Sequence, residues 1–358
     1  MSNDQKLEKQ RKRIDLIDTK LLELLTERAD VAKKIGQIKA RSGSDIYVSD
    51  REVQILNRML EANKGPLTDD DLEDIFQTVL TACRSLQKRL EVGYLGPEAT
   101  FTHQSAIKHF GRNTDYKSLP SIKDVFEEVE KKRADFGVVP IENSTEGVVN
   151  HTLDMFIKSP LVIVAERQDR ISHDLLSLSP TLRKIKRIYS HPQALAQCRG
   201  WLEVHLPGVV IQETNSTADA AIQATLDASC AAVASGLAGQ IYHLKTISRE
   251  IQDTVDNATR FLVIGRESPP ASGHDKTSIL FSIKDRVGAL FEMLQPFRRG
   301  KINLTKIESR PTKKKAWEYI FYVDLIGHQS EKRVQKALSQ LRHLCKHLKI
   351  LGSYPYRA

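Results

Sequence analysis

A long amphipathic segment near the start of the chain constrains the fold more than any other feature. Between residues 7 and 40 the apolar side chains alternate three and four positions apart, which is the period of a helix that packs along one seam. They are Ile14, Ile17, Leu21, Leu24, Val31, Ile35 and Ile38. Such a helix extends on the order of 50 Å, which is more than one small helical module covers. We therefore expect a partner chain to pack along it.

Two further helices are predicted to complete this module. One begins near Asp50, and the next begins near Thr68, whose hydroxyl can cap the acidic first turn. The apolar stripe of the third helix comprises Ile75, Phe76, Val79, Cys83, Leu86 and Leu90. Residues 1–91 are thus predicted to form an all-α helical bundle.

The pattern changes after the helical module. From Val92 onward, short β-rich runs alternate with capped helical stretches, which predicts an α/β domain over residues 92–267. The runs are VGYL, FGVV, LVIVA, RIYS, GVVIQ, AAVAS and RFLVIG. The stretch ESPPASGHDK, residues 267–276, is typical of a linker. Residues 276–358 follow the order βαββαβ, which predicts an α+β ferredoxin-like domain.

Composition limits the class of protein and its partners. The longest apolar runs, LVIVA and FLVI, are far shorter than the ~20 residues that span a bilayer, so we expect no membrane partner and no secretion. The net charge of +9 is dispersed and accompanies no nucleic-acid-binding motif, so we expect no nucleic-acid partner. Four widely spaced cysteines without a CxxC pair fit a reducing cytoplasm. The chain is predicted to be a cytoplasmic multidomain protein.

Arg28 occupies a seam position of the first helix where a large aliphatic side chain is expected. A buried arginine needs an anion, and both an ion pair with Glu52 and a bound anionic ligand would satisfy it. Gly36 lies in the middle of the same helix, where it costs about 1 kcal/mol relative to alanine. This glycine indicates that another group approaches the helix closely.

Other polar groups accompany Arg28. Lys39 lies about 16 Å from Arg28 along the helix axis, within reach of two long side chains, whereas Arg11 lies about 25 Å away. If all three cations bind one compact dianion, Arg11 must come from a second subunit. The module is therefore predicted to form a homodimer or a higher homo-oligomer.

The segment from Leu7 to Leu90 resembles the all-helical chorismate mutases. Seven positions match the pocket of that family: Arg11, Arg28, Lys39, Arg51, Glu52, Cys83 and Gln87. The resemblance implies that Arg11 and Arg28 hold the substrate carboxylates. It also implies that Lys39 and Gln87 bond the ether oxygen and that Glu52 holds the ring hydroxyl. Cys83 replaces a common serine, and Val48 stands where some members carry an acid.

The chemistry of a chorismate mutase explains these residue types. A [3,3] rearrangement needs a reactive conformer and positive charge at the oxygen that gains electron density, but no nucleophile or acid. Positioning and electrostatics are therefore sufficient, and we expect no cofactor and no metal.

Several common catalytic motifs are missing from the α/β domain. Ser172, His173 and Asp174 are consecutive, so on an extended segment they point to opposite faces and cannot form a triad. The sequence contains no GxSxG, HExxH, Walker A or GxGxxG motif. Hydroxyl and amide side chains instead cluster in GPEATFT, PIENSTEGVV, SHPQAL, NSTADAA and TRF. Helix capping is the simplest interpretation of Ser216 or Thr217 alone, although capped helix ends also offer N–H groups to anions.

Through PIENSTEG and DNATRF, residues 92–266 resemble prephenate dehydratases. The resemblance implies a two-lobed fold similar to periplasmic binding proteins, with the middle third as one lobe and the substrate between the lobes. It implies that Thr259 donates a hydrogen bond to the departing ring hydroxyl and that Arg260 binds a carboxylate. The matching site positions are Asn143, Ser144, Thr145, Gln193, Thr259, Arg260 and Phe261.

The last segment resembles phenylalanine-responsive ACT domains through RVGAL (286–290) and IESRP (307–311). In that family the two segments meet across a domain dimer and enclose the amino acid. The carried-over positions are Gly288, Ala289, Leu290, Glu308, Ser309, Arg310 and Pro311. A helix start packed tightly on a sheet would equally explain the residues GAL.

The three resemblances together indicate the bifunctional chorismate mutase-prephenate dehydratase family, which makes phenylpyruvate and is inhibited by phenylalanine. Two alternatives are weighed against this interpretation. One is a monofunctional prephenate or arogenate dehydratase whose helical module only dimerises. The other is a non-catalytic solute sensor. The retained pocket residues argue against the first, and Thr259 argues against the second.

Overall fold

The computed structural model describes residues 3–42, 49–254, 256–283, 286–311 and 319–356. Its first part is helical, as predicted, with α1 (Asn3–Ser42), α2 (Ser49–Glu61) and α3 (Asp69–Ser85). Thr68 caps α3, because its Oγ1 accepts a hydrogen bond of 3.1 Å from the Asp71 backbone N–H. Val48, the predicted departure in the mutase pocket, lies outside the described residues.

The first compact unit differs from the prediction at its C-terminal end. Helix α3 ends at Ser85, so Leu90 is not part of the helical stripe. The Leu90 carbonyl instead accepts a hydrogen bond of 2.9 Å from the Asp115 backbone N–H. The unit consequently includes Phe110–Asp115 as well as the described residues up to Leu90. The sequence pattern places that short segment in the next domain instead.

The first lobe of the α/β region is built on a six-stranded sheet. Its strands are β1 (Glu91–Leu95), β2 (Asp115–Leu119), β3 (Phe136–Asn143), β4 (Gly147–Val148), β5 (Val162–Arg170) and, much later in the chain, β11 (Ala258–Gly265). Its helices are α4 (Phe101–Phe110), α5 (Ile122–Glu130) and α6 (Asn150–Lys158). The strand order is β2-β1-β3-β11-β5, with β4 paired to β3. Strand β11 therefore lies between β3 and β5, antiparallel to both.

The second lobe is formed by residues 174–248, between β5 and β11 of the first lobe, and coincides only in part with the predicted middle third of residues 92–266. Its strands are β6 (Asp174–Ser177), β7 (Arg187–Ser190), β8 (Val210–Glu213), β9 (Cys230–Ala234) and β10 (Lys245–Ser248), in the order β10-β6-β9-β7-β8. Its helices are α7 (Pro192–Gln197), α8 (Arg199–His205), α9 (Thr217–Ala224) and α10 (Gly236–Ile241). All seven predicted runs coincide with strands, whereas β2, β4, β6 and β10 were not predicted.

The C-terminal segment has the predicted order βαββαβ. Its elements are β12 (Asp275–Ile283), α11 (Ala289–Arg299), β13 (Leu304–Pro311), β14 (Tyr319–Ile326), α12 (Lys332–Leu344) and β15 (His347–Pro355). The sheet order is β13-β14-β12-β15, and both helices pack on one face. Helix α12 ends at Leu344, and β15 begins at His347.

The other face of the C-terminal sheet packs against the first lobe. Leu280, Tyr322 and Tyr354 belong to the same apolar cluster as Phe156 and Leu262 of that lobe. The α/β region and the C-terminal segment consequently form one compact unit. Among the residues that the structure describes, no helix is both long enough and apolar enough to cross a membrane.

Candidate functional site

A cleft of about 510 Å³ opens between the two lobes of the α/β region. The first lobe contributes the end of β3 and the starts of β11 and α4, and the second lobe contributes α7 and the start of α9. Four predicted residues line this cleft, namely Asn143, Gln193, Thr259 and Phe261. The size and the mixed polar and apolar lining suit a small organic acid.

A short hydrogen bond joins two of these residues. Thr259 lies opposite Asn143 in the antiparallel pairing of β11 and β3, so their side chains share one face of the sheet. Asn143 Nδ2 donates to Thr259 Oγ1 at 2.8 Å. Because the threonine oxygen accepts this bond, its hydroxyl hydrogen remains to be donated to a ligand.

The turn after β3 sets the orientation of the Asn143 amide. Its Oδ1 accepts hydrogen bonds of 3.0 Å from the backbone N–H groups of Thr145 and Glu146. The opposite end of the amide must then present its N–H groups, and one of them reaches Thr259. The turn after β3 therefore directs an N–H group of Asn143 to Thr259, the candidate catalytic residue.

A second chain of hydrogen bonds extends from this pair into the other lobe. Asn257 accepts a bond of 2.9 Å from Asn143 and donates one of 2.8 Å to Gln197 Oε1. His173 Nε2 lies 2.9 Å from the same oxygen. Burial lowers the pKa of His173, which favours the neutral ring. Because Gln197 Oε1 can only accept a hydrogen bond, this contact assigns the ring hydrogen to Nε2. With its oxygen occupied twice, Gln197 can offer its amide nitrogen to the cleft.

Helix starts line the remaining wall of the cleft. Ser216 caps α9 by accepting a hydrogen bond of 2.9 Å from the Asp219 backbone N–H, which confirms the capping interpretation. Asn215, Ser216 and Thr217 also line the cleft, together with Thr100 at the start of α4. A capped helix start presents backbone N–H groups that favour anions such as carboxylates.

Polar side chains from all three helices converge in the helical module. Glu52 on α2 accepts a hydrogen bond of 2.7 Å from Arg84 on α3. Burial raises the pKa of Glu52, while Arg84, Arg28 and Lys39 act in the opposite direction. Glu52 thus pairs with Arg84, and the charge of Arg28 also acts on the Glu52 carboxylate.

The close approach that Gly36 predicted is made by Gln87. A Cβ atom added at Gly36 would lie 2.7 Å from the Cβ and 2.8 Å from the Cα of Gln87, which is too close for any side chain. Among the described residues, the side-chain oxygen of Gln87 is buried without a hydrogen-bond partner. Cys83, one turn earlier on α3, is also buried. Gly36 therefore lets Gln87, which lies just after α3, approach α1 closely.

Two predicted pocket residues of this module, Arg11 and Arg51, are exposed in the single chain. Most apolar side chains along the seam of α1 are exposed as well, and Leu24 and Ile38 have exposed fractions of 62% and 66%. The 40 residues of α1 correspond to a length of about 60 Å. One chain therefore leaves a long apolar surface uncovered.

In the C-terminal segment, the predicted phenylalanine-binding residues lie at two places. Gly288 precedes α11 with a φ of 77°, a conformation that favours glycine. Ala289 and Leu290 pack into the apolar cluster between the helices and the sheet, so a packed helix start does account for GAL. Strand β13 carries the second group, with Ser309 and Pro311 on its exposed face.

Comparison with known proteins identifies the family. Family models match residues 10–88 (Chorismate mutase type II), 92–269 (Prephenate dehydratase) and 277–343 (ACT domain). The bifunctional chorismate mutase/prephenate dehydratase of Aquifex aeolicus (strain VF5) is 50% identical over 355 residues, which cover 98% of each chain. The chain belongs to the bifunctional chorismate mutase/prephenate dehydratase family.

Two further relatives of this family extend the comparison. The bifunctional chorismate mutase/prephenate dehydratase of Stutzerimonas stutzeri is 42% identical over 361 residues, 99% of each chain. The crystal structure of prephenate dehydratase from Arthrobacter aurescens in complex with L-Phe is 33% identical, with a TM-score of 0.68. It covers 75% of this chain and 90% of that one. The predicted family and the three-part fold are thereby confirmed.

Three predicted residues of the dehydratase domain do not line its cleft. Ser144 accepts a hydrogen bond from the Ala258 backbone N–H, and Thr145 donates one to the Asn257 side chain. Both bonds fasten the turn after β3 to the start of β11. Arg260 points to the opposite face of β11 from Thr259, because neighbours on a strand alternate. The prediction that Arg260 binds a substrate carboxylate is therefore not supported by its position.

Arg260 instead joins a buried ionic cluster with the ACT domain. Its guanidinium donates to Glu166 Oε2 at 2.7 Å and pairs with Asp324 Oδ2 at 2.7 Å. Lys276 pairs with the other oxygen of Glu166 at 2.5 Å, and Tyr354 accepts a bond of 3.2 Å from Arg260. Lys276, Asp324 and Tyr354 belong to the ACT sheet, so the strand that carries Thr259 is fastened to that domain.

Sequence reasoning missed three members of the dehydratase network, namely His173, Gln197 and Asn257. His173 was considered only as part of a triad. Gln197 and Asn257 adjoin quoted motifs, since Gln197 follows SHPQAL by two residues and Asn257 lies within DNATRF. A closer reading of the amides around those motifs could have found the last two. No local pattern could have paired His173 with a residue of α7.

Proposed function

We propose that this family member performs two consecutive reactions and is regulated by their eventual product. The helical module rearranges chorismate to prephenate, and the two-lobed domain converts prephenate to phenylpyruvate with loss of carbon dioxide and water. Phenylalanine bound to the ACT domain inhibits the second reaction. The observation that carries this proposal is the bond from Asn143 to Thr259 inside the cleft, because it leaves a donor hydrogen where a hydroxyl must depart.

In the proposed mutase site, positively charged groups bind the substrate and stabilise the charge that develops in the transition state. Arg28 holds a carboxylate of chorismate, while Lys39 and Gln87 donate to its ether oxygen as that atom gains electron density. Glu52 accepts a hydrogen bond from the ring hydroxyl. Arg51 and Cys83 complete the wall of the pocket. These interactions select the folded conformer in which the two reacting carbons meet.

A second copy of the chain supplies Arg11 in this proposal. Arg11 and Arg28 are separated by about 25 Å along one helix, too far to hold the same small molecule. The uncovered apolar seam of α1 supports a homodimer, because packing a second α1 along it would bury those side chains. We also place the enzyme in the cytoplasm, where its free cysteines would stay reduced.

In the proposed dehydratase site, bond breaking is concerted. The ring carboxylate leaves as carbon dioxide, its electron pair forms a ring double bond, and the carbon-oxygen bond to the ring hydroxyl breaks. Thr259 donates a hydrogen bond to the departing oxygen, and Asn143 strengthens that donor by binding its oxygen. A threonine hydroxyl is a weak acid, so Thr259 acts as a polarising donor within a network rather than as a lone proton source.

The remaining groups of the cleft bind and orient prephenate. Gln193 and the amide nitrogen of Gln197 face the cleft from α7, and the start of α9 offers N–H groups to a carboxylate. Phe261 contributes an apolar surface beside Thr259. Ser144 and Thr145 hold the turn that orients Asn143, so we assign them a supporting role.

Regulation is proposed to act through the contacts that join the ACT domain to the first lobe. Arg310 pairs with Asp154 at 3.3 Å and donates to the Asn150 carbonyl at 2.8 Å. Lys306 pairs with Glu142, the neighbour of Asn143, at 2.5 Å. Phenylalanine inhibits only if it binds one arrangement of these elements better than another. We place it against Gly288, Ala289 and Leu290 and against the segment Glu308–Pro311 of a second ACT domain.

Phenylalanine is expected to inhibit dehydration more strongly than the mutase reaction. Gly288→Ala should raise the inhibitory concentration roughly 5- to 30-fold, because a side chain at a positive φ costs about 1–2 kcal/mol and shifts the helix start. Initial rates with prephenate and with chorismate, measured against phenylalanine concentration, check both expectations.

The matched control for that test is Gly208→Ala. Gly208 also has a φ of 77° with open space around its missing side chain, but it belongs to the second lobe. It should leave inhibition unchanged. If phenylalanine binds the wild-type protein and dehydration continues at its full rate, the regulatory proposal is wrong.

Incubating the intact protein with chorismate tests the two activities together. We expect chorismate to disappear, prephenate to accumulate transiently and phenylpyruvate to form. A monofunctional enzyme would consume only added prephenate or arogenate and leave chorismate untouched. A non-catalytic sensor would consume none of the three, so absorbance assays with each compound separate the alternatives.

A further inference from the structure

Arg84 is a buried cation of the helical module that the pocket assignments above leave without a role. It lies in the last turn of α3, next to Cys83, and its side chain is only 4% exposed. Its Nη1 contacts Glu52 Oε1 at 2.7 Å. A buried pair of this kind is sensitive to loss of either partner, because the remaining charge stays desolvated.

The guanidinium of Arg84 is fixed from a second direction by Phe110. Its Nη2 donates to the Phe110 carbonyl at 2.9 Å, and its central carbon lies 5.6 Å from the centre of the Phe110 ring. Phe110 is itself buried and belongs to the short segment that completes the helical unit. Arg84 is therefore held in place independently of Glu52 and can act as a rigid support for that carboxylate.

We propose that Arg84 is a positioning residue of the mutase site, which holds Glu52 by one oxygen so that the other oxygen accepts the ring hydroxyl of chorismate. The inference rests on the role proposed for Glu52. The two oxygens of a carboxylate lie in one plane, so holding Oε1 limits the directions in which Oε2 can point. The ring hydroxyl is the group that this acceptor would select, and a substrate without it would gain nothing from the arrangement.

Arg84 also affects the charge of Glu52. The charged groups that face this carboxylate are Arg84 from α3 and Arg28 and Lys39 from α1. Burial raises the pKa of Glu52, and Arg84 is the strongest of the opposing influences. Without Arg84 the carboxyl would protonate at a higher pH, and a protonated oxygen is a poorer acceptor for a hydroxyl.

The test uses the full chain with Arg84→Met and measures chorismate consumption. We expect KM for chorismate to rise about 10- to 100-fold, the range for losing a hydrogen bond to a charged group, with a smaller change in kcat. The fall of kcat/KM at low pH should begin at a higher pH than in the wild type. Arg84→Lys keeps the positive charge but loses the planar guanidinium with its several N–H donors. It should therefore show the wild-type pH profile, with a KM between those of the wild type and Arg84→Met.

Two further variants keep the inference falsifiable. Glu52→Gln should raise KM and remove its pH dependence, and the double variant Arg84→Met/Glu52→Gln carries no unpaired buried carboxylate and should match Glu52→Gln alone. If the double variant has a much higher KM for chorismate than Glu52→Gln, Arg84 does not act through Glu52 and the inference is wrong. If Glu52→Gln leaves KM unchanged, the role of Glu52 itself fails. Prephenate dehydration should stay constant throughout and reports intact folding of the rest of the chain.

Discussion

Thr259→Val is expected to lower the dehydratase kcat/KM by about 10²- to 10⁴-fold, the range in which a positioned proton donor contributes to catalysis. Valine has nearly the shape of threonine, so the variant removes the donor hydroxyl without opening a cavity. It also removes the threonine oxygen that accepts a hydrogen bond from the Asn143 amide. The measurement is formation of phenylpyruvate from added prephenate, with chorismate consumption assayed in the same preparation.

Thr259→Ser provides the matched control, because it keeps a hydroxyl at the same position. It should retain most of the dehydratase activity, and its mutase activity should equal that of the wild type. Equal loss of both activities in Thr259→Val would contradict the assignment of the two reactions to separate sites. An active Thr259→Val enzyme would show that another group assists departure of the hydroxyl.

Mixed dimers are expected to show the second large effect. Arg11→Ala and Arg28→Ala should each abolish most of the mutase activity, since each removes a carboxylate-binding cation. When the two inactive proteins are unfolded, mixed and refolded together, half of the dimers combine both chains. One of the two sites in such a dimer contains intact Arg11 and Arg28, so roughly a quarter of the wild-type activity should return.

A second mixture distinguishes this rescue from refolding artefacts. Arg28→Ala mixed with Gln87→Leu should recover no activity, because Arg28 and Gln87 serve the same site from the same chain. Rescue in both mixtures, or in neither, would overturn the proposal that Arg11 crosses to the partner's site. The oligomeric state measured by light scattering gives the fraction of dimers that the estimate assumes.

The spacing of apolar residues in the sequence predicted most of the fold. The seam of α1 and the alternation of short strands with capped helices were both predicted from local residue spacing. The structure forms the corresponding helices and strands because that spacing determines local structure. Thr68 and Ser216 were predicted as caps on the same grounds, and both accept the expected backbone N–H. Local chemistry was sufficient wherever the partners lie within a few residues of each other.

Arg260 shows how a sequence motif can mislead when it is carried over as a unit. The motif TRF places Thr259, Arg260 and Phe261 together in the sequence, but side chains alternate along a strand. Two of them face the cleft and the third faces the ACT domain. The two-residue period of a strand is enough, on the sequence alone, to separate Arg260 from its two neighbours.

The polar networks could not have been predicted from local patterns. Arg84 reaches Glu52 across 32 residues and Phe110 across 26, and Asn143 reaches Thr259 across 116. These contacts depend on how the elements pack, which no periodicity specifies.

In the proposed homodimer, the uncovered seam of α1 makes assembly of the mutase site depend on the concentration of chains. If the apolar side chains of α1 are covered only when two molecules associate, stability of this helix depends on protein concentration. A newly synthesised chain would then expose this apolar surface until a second chain binds. The rate of synthesis, as much as the supply of chorismate, would then determine how many mutase sites a cell possesses.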